Sequence, residues 1–366
     1  MGFRVQYRSR RSAARAGILR TAHGTAHTPF FMPIATRGAV KGLTADDVRA
    51  SGSRVVLANT YHLWQRPGLG TLKRAGGLHR FMAWDGPILT DSGGYQVFSL
   101  SARRKITERG VEFRSEIDGK KHLLTPEKAI EIQHALGSDI IMSLDECPPY
   151  PSTRVYAAHS LALTTRWAQR GFDRMKKFRS KKQLLFGIVQ GSSYRELRRE
   201  STRQLLNIGF DGYAIGGLAV GEPAEKMYQA IGWVEPLLPK DKPCYLMGVG
   251  KPEQIVEAVR RGVDMFDCVI PTRNARHGTL YVWKRRALTG AFYGELRIKQ
   301  AAYAHDVRPI DPRCDCGACR QYSRAYIRHL MNTGDPLALR LATVHNVRFF
   351  ATLMEAVRRS IRTGTL

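Results

Sequence analysis

Eight short apolar runs, most of them followed by a stretch with helical periodicity, restrict the fold of this 366-residue chain more than any other feature. The runs cover residues 31–35, 54–59, 87–91, 139–145, 183–190, 212–218, 242–248 and 263–269. Helical patterns follow at 44–50, 126–136, 153–169, 194–207, 223–234 and 252–260. Three of these open on a proline (Pro126, Pro223, Pro252), where a missing N–H costs a helix nothing. Repeated β–α units predict an α/β chain with a parallel sheet closed into a (β/α)8 TIM barrel. A doubly wound sheet competes, but no GxGxxG phosphate loop follows the first run. After the eighth run the helical return is delayed by a stretch mixing aromatic, basic and cysteine residues. The expected organisation is therefore one barrel over 1–366 with an insertion at 277–345, closed by a helix over 345–361.

In a barrel of this kind chemistry sits at the C-terminal strand ends. Those ends carry Asn59, Asp91, Asp145, Gln190, the Gly216-Gly217 pair, Gly248 and Asp267, residues that strand interiors do not need. Asp267 closes the last run and is followed by Pro271, then Arg273, Asn274 and Arg276, read as a basic loop. An acid beside such a loop suggests a reactive carboxylate next to a bound polyanion. An acid capping a helix is the plainer alternative. Asp91 precedes Ser92-Gly93-Gly94-Tyr95, whose glycines let backbone approach a ligand and whose Tyr95 either stacks on a planar base or packs in the core. Asp145, Gln190 and Gly216-Gly217-Leu218 together match the donor and acceptor edge of a purine. Two carboxylates on either side of a glycosidic carbon permit substitution through a covalent sugar intermediate.

The net charge of +27 and a pI near 10.3 point to a nucleic-acid partner. Arg4, Arg8, Arg10, Arg11 and Arg15 crowd the N-terminus with no apolar segment behind them, which argues against a secretory signal. A second basic run, 174–182, reads as a solvated loop. No eighteen-residue apolar stretch exists, so no membrane span is expected. Six cysteines, three scattered and three clustered, do not form a secreted disulfide framework and suggest a cytoplasmic setting. Cys314, Cys316 and Cys319 lie within six residues. With one histidine they satisfy a tetrahedral, closed, structural Zn²⁺ site. By spacing alone His345, His329 and His305 all qualify.

Taken together, Asp91-Ser92-Gly93-Gly94-Tyr95-Gln96, Asp145-Glu146-Cys147, Gly187-Ile188-Val189-Gln190-Gly191, Gly216-Gly217-Leu218-Ala219-Val220-Gly221-Glu222, Tyr245-Leu246-Met247-Gly248-Val249-Gly250 and Asp267-Cys268-Val269 resemble the queuine tRNA-ribosyltransferase family, the tRNA-guanine transglycosylases. The resemblance runs from about Gly24 to the final helix. Leu218-Ala219-Val220 and Glu146-Cys147 are similar to the bacterial branch, which places 7-aminomethyl-7-deazaguanine (preQ1) in tRNAs with GUN anticodons (those for Asn, Asp, His and Tyr), releasing the wobble guanine. The resemblance implies Asp267 as nucleophile and Asp91 as general acid/base. It implies that Asp91, Ser92, Gly93, Gly94, Tyr95, Asp145, Gln190, Gly217, Leu218 and Met247 hold the base, with Tyr95 and Met247 sandwiching it. Gly248, Val249, Gly250, Lys251, Pro252, Glu253, Gln254, Thr272, Arg273, Asn274, Ala275 and Arg276 would contact RNA. It also selects His345 as the fourth zinc ligand and suggests a homodimer interface at Tyr322, Tyr326 and His329.

Overall fold

The computed structural model describes residues 1–100, 104–178 and 182–366. The chain opens on an antiparallel sheet, β1 (Gly2–Arg8), β2 (Arg15–Thr21) and β3 (Gly24–Thr28). Then come β4 (Phe30–Met32), β5 (Val56–Ala58) and β6 (Ile88–Thr90). A second antiparallel excursion, β7 (Arg104–Thr107), β8 (Gly110–Arg114) and β9 (Lys121–Leu124), leaves the barrel before β10 (Ile140–Met142). The series continues with β11 (Leu184–Val189), β12 (Gly212–Ile215), β13 (Cys244–Leu246) and β14 (Met265–Asp267), and ends in the hairpin β15 (Thr279–Trp283) and β16 (Tyr293–Arg297).

Eight of these strands form one parallel sheet in the order β4-β14-β13-β12-β11-β10-β6-β5, and an Ile34–Leu57 bridge joins its two ends. The (β/α)8 barrel expected from the alternation is therefore present, seven of its eight strands lying inside an apolar run and β4 starting one residue before its own. The strands are buried on both faces, which is why they read as continuous apolar runs rather than as alternating ones. Helices start where the chemistry allows. Thr125 and Thr153 accept hydrogen bonds from the first turns of Pro126–Leu136 and Arg154–Lys176.

The face opposite the expected site is tied by buried acids at strand entries. Arg15 grips Asp264 through two contacts of 3.0 and 2.6 Å and also reaches the carbonyls of Lys240 and Lys242. Arg15 is therefore a lock on the barrel and not part of a basic arm. Asp139 similarly gathers His23, His79 and the Ile88 N–H.

Three expectations change. The segment after Asp267 is a helix, Ile270–Arg276, because Pro271 sits at its first turn where proline is tolerated. The final helix runs Pro336–Arg362, so His345 lies in its second half-dozen residues rather than at its start. Asp335 caps it and Pro336 opens it, a start signal upstream of the apolar face that suggested residue 345. Residues 174–176 finish the helix Arg154–Lys176, with Arg174 paired to Glu131, so they are not loop; residues 179–181 of that basic run lie outside the described residues.

Candidate active site

A cavity of about 580 Å³ opens at the C-terminal ends of the barrel strands. Such a volume suits a small planar ligand and part of what carries it. Asp91, Tyr95, Asp145, Gly217, Leu218, Met247 and Asp267 all line it. They come from β6, β10, β12, β13 and β14 or the turns just beyond, so residues up to 176 positions apart in sequence share one wall.

Asp267 ends β14 and is 8% exposed. Tyr245, one strand over, donates its hydroxyl to Oδ1 at 2.5 Å, and the Gly248 N–H donates to the same oxygen at 2.8 Å. No described residue donates to Oδ2, which leaves one carboxylate oxygen fixed and the other able to react. Burial raises the carboxyl above its ordinary range, and the two hydrogen bonds pull it back. Asp91 follows β6 and is equally buried. Asn59 Nδ2 donates to its Oδ2 at 2.5 Å and the Thr60 N–H to Oδ1 at 2.8 Å. Burial pushes Asp91 up to about 6, Asp267 adds to the push, and the bonds from Asn59, Thr60 and Gly93 oppose it. A carboxyl that titrates there can both give and take a proton near neutrality.

Asp145 stands beyond β10. Gln190 Nε2 donates to its Oδ2 at 2.7 Å, and Ser92 Oγ lies 3.4 Å from Oδ1. Burial also pushes Asp145 up to about 6 against these bonds. Gln190 itself is fully buried behind the cavity wall rather than in it, and among the described residues its Oε1 has no hydrogen-bond partner. Gly217, at φ +62°, lies flat on that oxygen, so an added Cβ would strike it. Gly93 and Gly94 shape the turn behind Ser92 without lining the cavity, and Gly94 donates to Ser92 Oγ at 3.2 Å. Tyr95 is 56% exposed, which decides between rim and core in favour of the rim. Cys147 also lines the cavity, and burial pushes its thiol up to about 12, so it stays protonated and unreactive.

Among the residues expected to meet RNA, Gly248, Val249, Gly250, Lys251, Gln254 and Arg273 line the cavity mouth. Lys251, Glu253 and Arg273 are exposed, and Glu253 accepts a bond from Tyr293 at 2.6 Å. Pro252 is buried in its own helix. Thr272 is buried and Ala275 wholly so, packed into the C-terminal core, which leaves Ala275 no surface to offer. Asn274 donates to the Tyr281 hydroxyl at 2.8 Å, and Arg276 is half-buried beside it.

Cys314, Cys316, Cys319 and His345 bring their donor atoms within 4.8 Å of one another, from a loop, a short helix and the long C-terminal helix. His345 Nδ1 lies 3.2 Å from Cys319 Sγ and 3.8 Å from Cys316 Sγ. Its Nε2 is 2.7 Å from the Tyr281 carbonyl, which holds the proton on that nitrogen and frees Nδ1 for a metal. Three thiols and an imidazole so placed can hold a metal ion and fit the tetrahedral set that zinc takes. His329 is exposed, stands outside this group of donors, and is not a ligand.

The roles of three supports escaped the sequence. Tyr245 is an apolar-run residue whose hydroxyl no pattern announces. Asn59 and Thr60 hold Asp91 from 31 or 32 positions away. Glu222 accepts the N–H groups of Ala219 (2.5 Å) and Val220 (3.0 Å), pinning a loop in which Ala219 takes φ +57°.

Residues 10–366 match the family model described as queuine tRNA-ribosyltransferase. Proteins named queuine tRNA-ribosyltransferase from Pelotomaculum thermopropionicum (53% identical; 100% of this chain and 96% of that one) and Caldanaerobacter subterraneus subsp. tengcongensis (54%; 100% and 94%) are similar along their length. So is one from Shewanella sp. strain ANA-3, 54% identical over 96% of this chain and 92% of its own. With its barrel, its cavity acids and its Cys3His cluster, this chain belongs to the queuine tRNA-ribosyltransferase family.

Proposed function

We propose that this protein exchanges the wobble guanine of tRNAs with GUN anticodons for preQ1, by two displacements through a covalent tRNA–aspartyl intermediate, as a step of queuosine synthesis in the cytoplasm. The observation that carries the reading is the pair Asp91 and Asp267. They stand on strands three apart in one direction round the barrel and five in the other, and both face one cavity. Asp267 Oδ2 attacks C1′ of the ribose and the C1′–N9 bond breaks. The departing guanine takes a proton from Asp91. The incoming base returns a proton from its own N9 to Asp91, attacks C1′ and frees the Asp267 carboxylate. Asp145 and the Gly217 backbone read the base edge, with Gln190 holding Asp145 from behind, while Tyr95 and Met247 cover its faces. Lys251 and Arg273 at the rim, and a strongly basic surface, attract the phosphates.

The test is direct. The isolated protein is given unmodified tRNA with preQ1, and in parallel with queuine, and the base in position is identified by mass. Incorporation of preQ1 is expected. Incorporation of queuine alone would reassign the substrate, and incorporation of neither would end the reading.

Zinc is proposed at Cys314, Cys316, Cys319 and His345, where with four protein ligands it supplies structure and not Lewis acidity. His345→Ala is expected to lose the ion and to lower stability by more than about 3 kcal/mol, since structural zinc binding contributes on the order of 10 kcal/mol. Metal analysis with scanning calorimetry checks this. A variant equally stable but inactive would make the ion catalytic instead. Tyr322 and Tyr326 stack at 5.3 Å beside this lobe, Tyr326 exposed, and with His329 they are the surface proposed for a homodimer.

A further inference from the structure

Arg198 lies in the first turns of the helix Arg195–Ile208, wholly buried. Among the described residues no carboxylate comes within ion-pair distance of it. An unpaired cation taken out of water costs several kcal/mol, so its retention demands a reason. Its partners supply one. Nε donates to the Ser192 carbonyl at 2.7 Å, Nη1 to those of Val189 (3.1 Å) and Gly216 (2.6 Å), and Nη2 to that of Gly217 (3.1 Å). All four acceptors belong to two neighbouring turns, the one that carries Gln190 and the one that carries Gly217.

The turn that carries Gln190 is not relaxed. Ser192 has φ +51°, a left-handed conformation that a side chain disfavours and that persists only when its surroundings hold it. Gly191, at φ +126°, presses on the same helix so closely that a Cβ there would come within 2.7 Å of the Arg198 backbone nitrogen. The guanidinium and its own helical turn thus clamp both segments.

The clamp has a directional consequence. The peptides after Gly216 and Gly217 are trans, so each N–H points opposite to its carbonyl. Both carbonyls turn inward to Arg198. The N–H groups of Gly217 and Leu218 must therefore turn the other way, towards the cavity that both residues line. Neither N–H is spent on a described backbone carbonyl. That of Gly217 has the Cys147 thiol beside it, a weak acceptor that a carbonyl oxygen would outcompete.

We propose that Arg198 is the positioning residue of the base subsite: by holding two consecutive peptides with their N–H groups outward, it makes the site select a base with a carbonyl oxygen over one with an exocyclic amine at the same carbon. This rests on reading the cavity as a base subsite. Burial drags the Arg198 pKa down to about 10, which still leaves it charged at neutral pH.

Arg198→Met and Arg198→Lys test it by base-exchange kinetics on intact protein, with guanine and tRNA varied separately and 2,6-diaminopurine as competitor. Arg198→Met is expected to raise KM for guanine roughly 10–100-fold, the scale of a lost polar contact in a discriminating site. KM for tRNA should stay within about twofold, and preference for guanine over diaminopurine should shrink in proportion. Arg198→Lys, keeping charge but fewer donors, should fall between. Guanidinium ion added to Arg198→Ala should restore part of the preference. Unchanged guanine KM and preference in folded Arg198→Met overturns the proposal, as does a parallel rise in both KM values. Failure of all three variants to fold also overturns it, by making Arg198 a folding residue. Asp145→Asn is the control: if it raises guanine KM while Arg198→Met does not, only this proposal fails, and if neither does, the base-subsite reading fails.

Discussion

Asp267→Asn is expected to abolish the covalent RNA adduct and to lower turnover by on the order of 10⁴-fold, the scale seen when a nucleophile is removed from a working site. The substitution is nearly isosteric. The Tyr245 hydroxyl and the Gly248 N–H can still donate to the amide oxygen, so the strand end keeps its shape. What is lost is the negative charge and lone pair at the oxygen now free of described donors. Binding of tRNA should survive, because the rim cations Lys251 and Arg273 are untouched. Denaturing electrophoresis of protein incubated with tRNA and a trapping base analogue reads the adduct, and a filter assay reads binding. A shifted band in Asp267→Asn would move the nucleophile elsewhere.

Asp145→Asn should make the protein more stable and less competent at once. The Asp145 carboxyl is held at about 6 in the fold against an ordinary value of 3.8, mainly by burial. The native state therefore holds that proton more tightly than the unfolded chain does. Stability from this group is fully present below pH about 4 and is lost as pH rises through about 6. Above pH 7 the buried anion costs the fold up to about 3 kcal/mol, because each tenfold change in proton affinity is worth about 1.4 kcal/mol. An asparagine removes the cost, and Gln190 can turn its amide so that the unpartnered Oε1 accepts from the new NH₂. The expected gain is on the order of 2 kcal/mol at pH 8, a few degrees in Tm, vanishing as pH falls to 4. The cost is recognition. Guanine presents N–H groups that a carboxylate accepts and an amide answers only in part, so KM for guanine should rise on the order of 10²-fold. In the parent protein base binding should likewise weaken as pH falls through about 6. Calorimetry at pH 8, 6 and 4 decides: a gain that does not depend on pH would mean that Asp145 is not the titrating group.

The barrel was legible in the chain because doubly buried parallel strands must be uniformly apolar, and Pro126 and Pro252 mark where helices begin. The acids at Asp91, Asp145 and Asp267 were equally visible, since nothing in a strand's packing calls for a charge at its end. The zinc cluster needed only the spacing of Cys314, Cys316 and Cys319, while the choice among three histidines did not follow from spacing. Tertiary structure places His345 in reach of the thiols, 26 positions after Cys319, and turns its ring with the Tyr281 carbonyl.

What the sequence by itself determined is which residue types stand at which strand ends, because local periodicity and the chemistry of turns depend on neighbours a few positions away. Only the tertiary structure decided which oxygen of Asp267 is held, that Gln190 works from behind the wall, that Arg15 locks the barrel floor and that no described carboxylate comes within ion-pair distance of Arg198. Each of these depends on a partner remote in the chain: Tyr245, Gly217, Asp264, the carbonyls of two separate turns. Hydrogen bonds of a few ångströms obey no sequence period, and closure of the sheet between β4 and β5 is what brings such partners together.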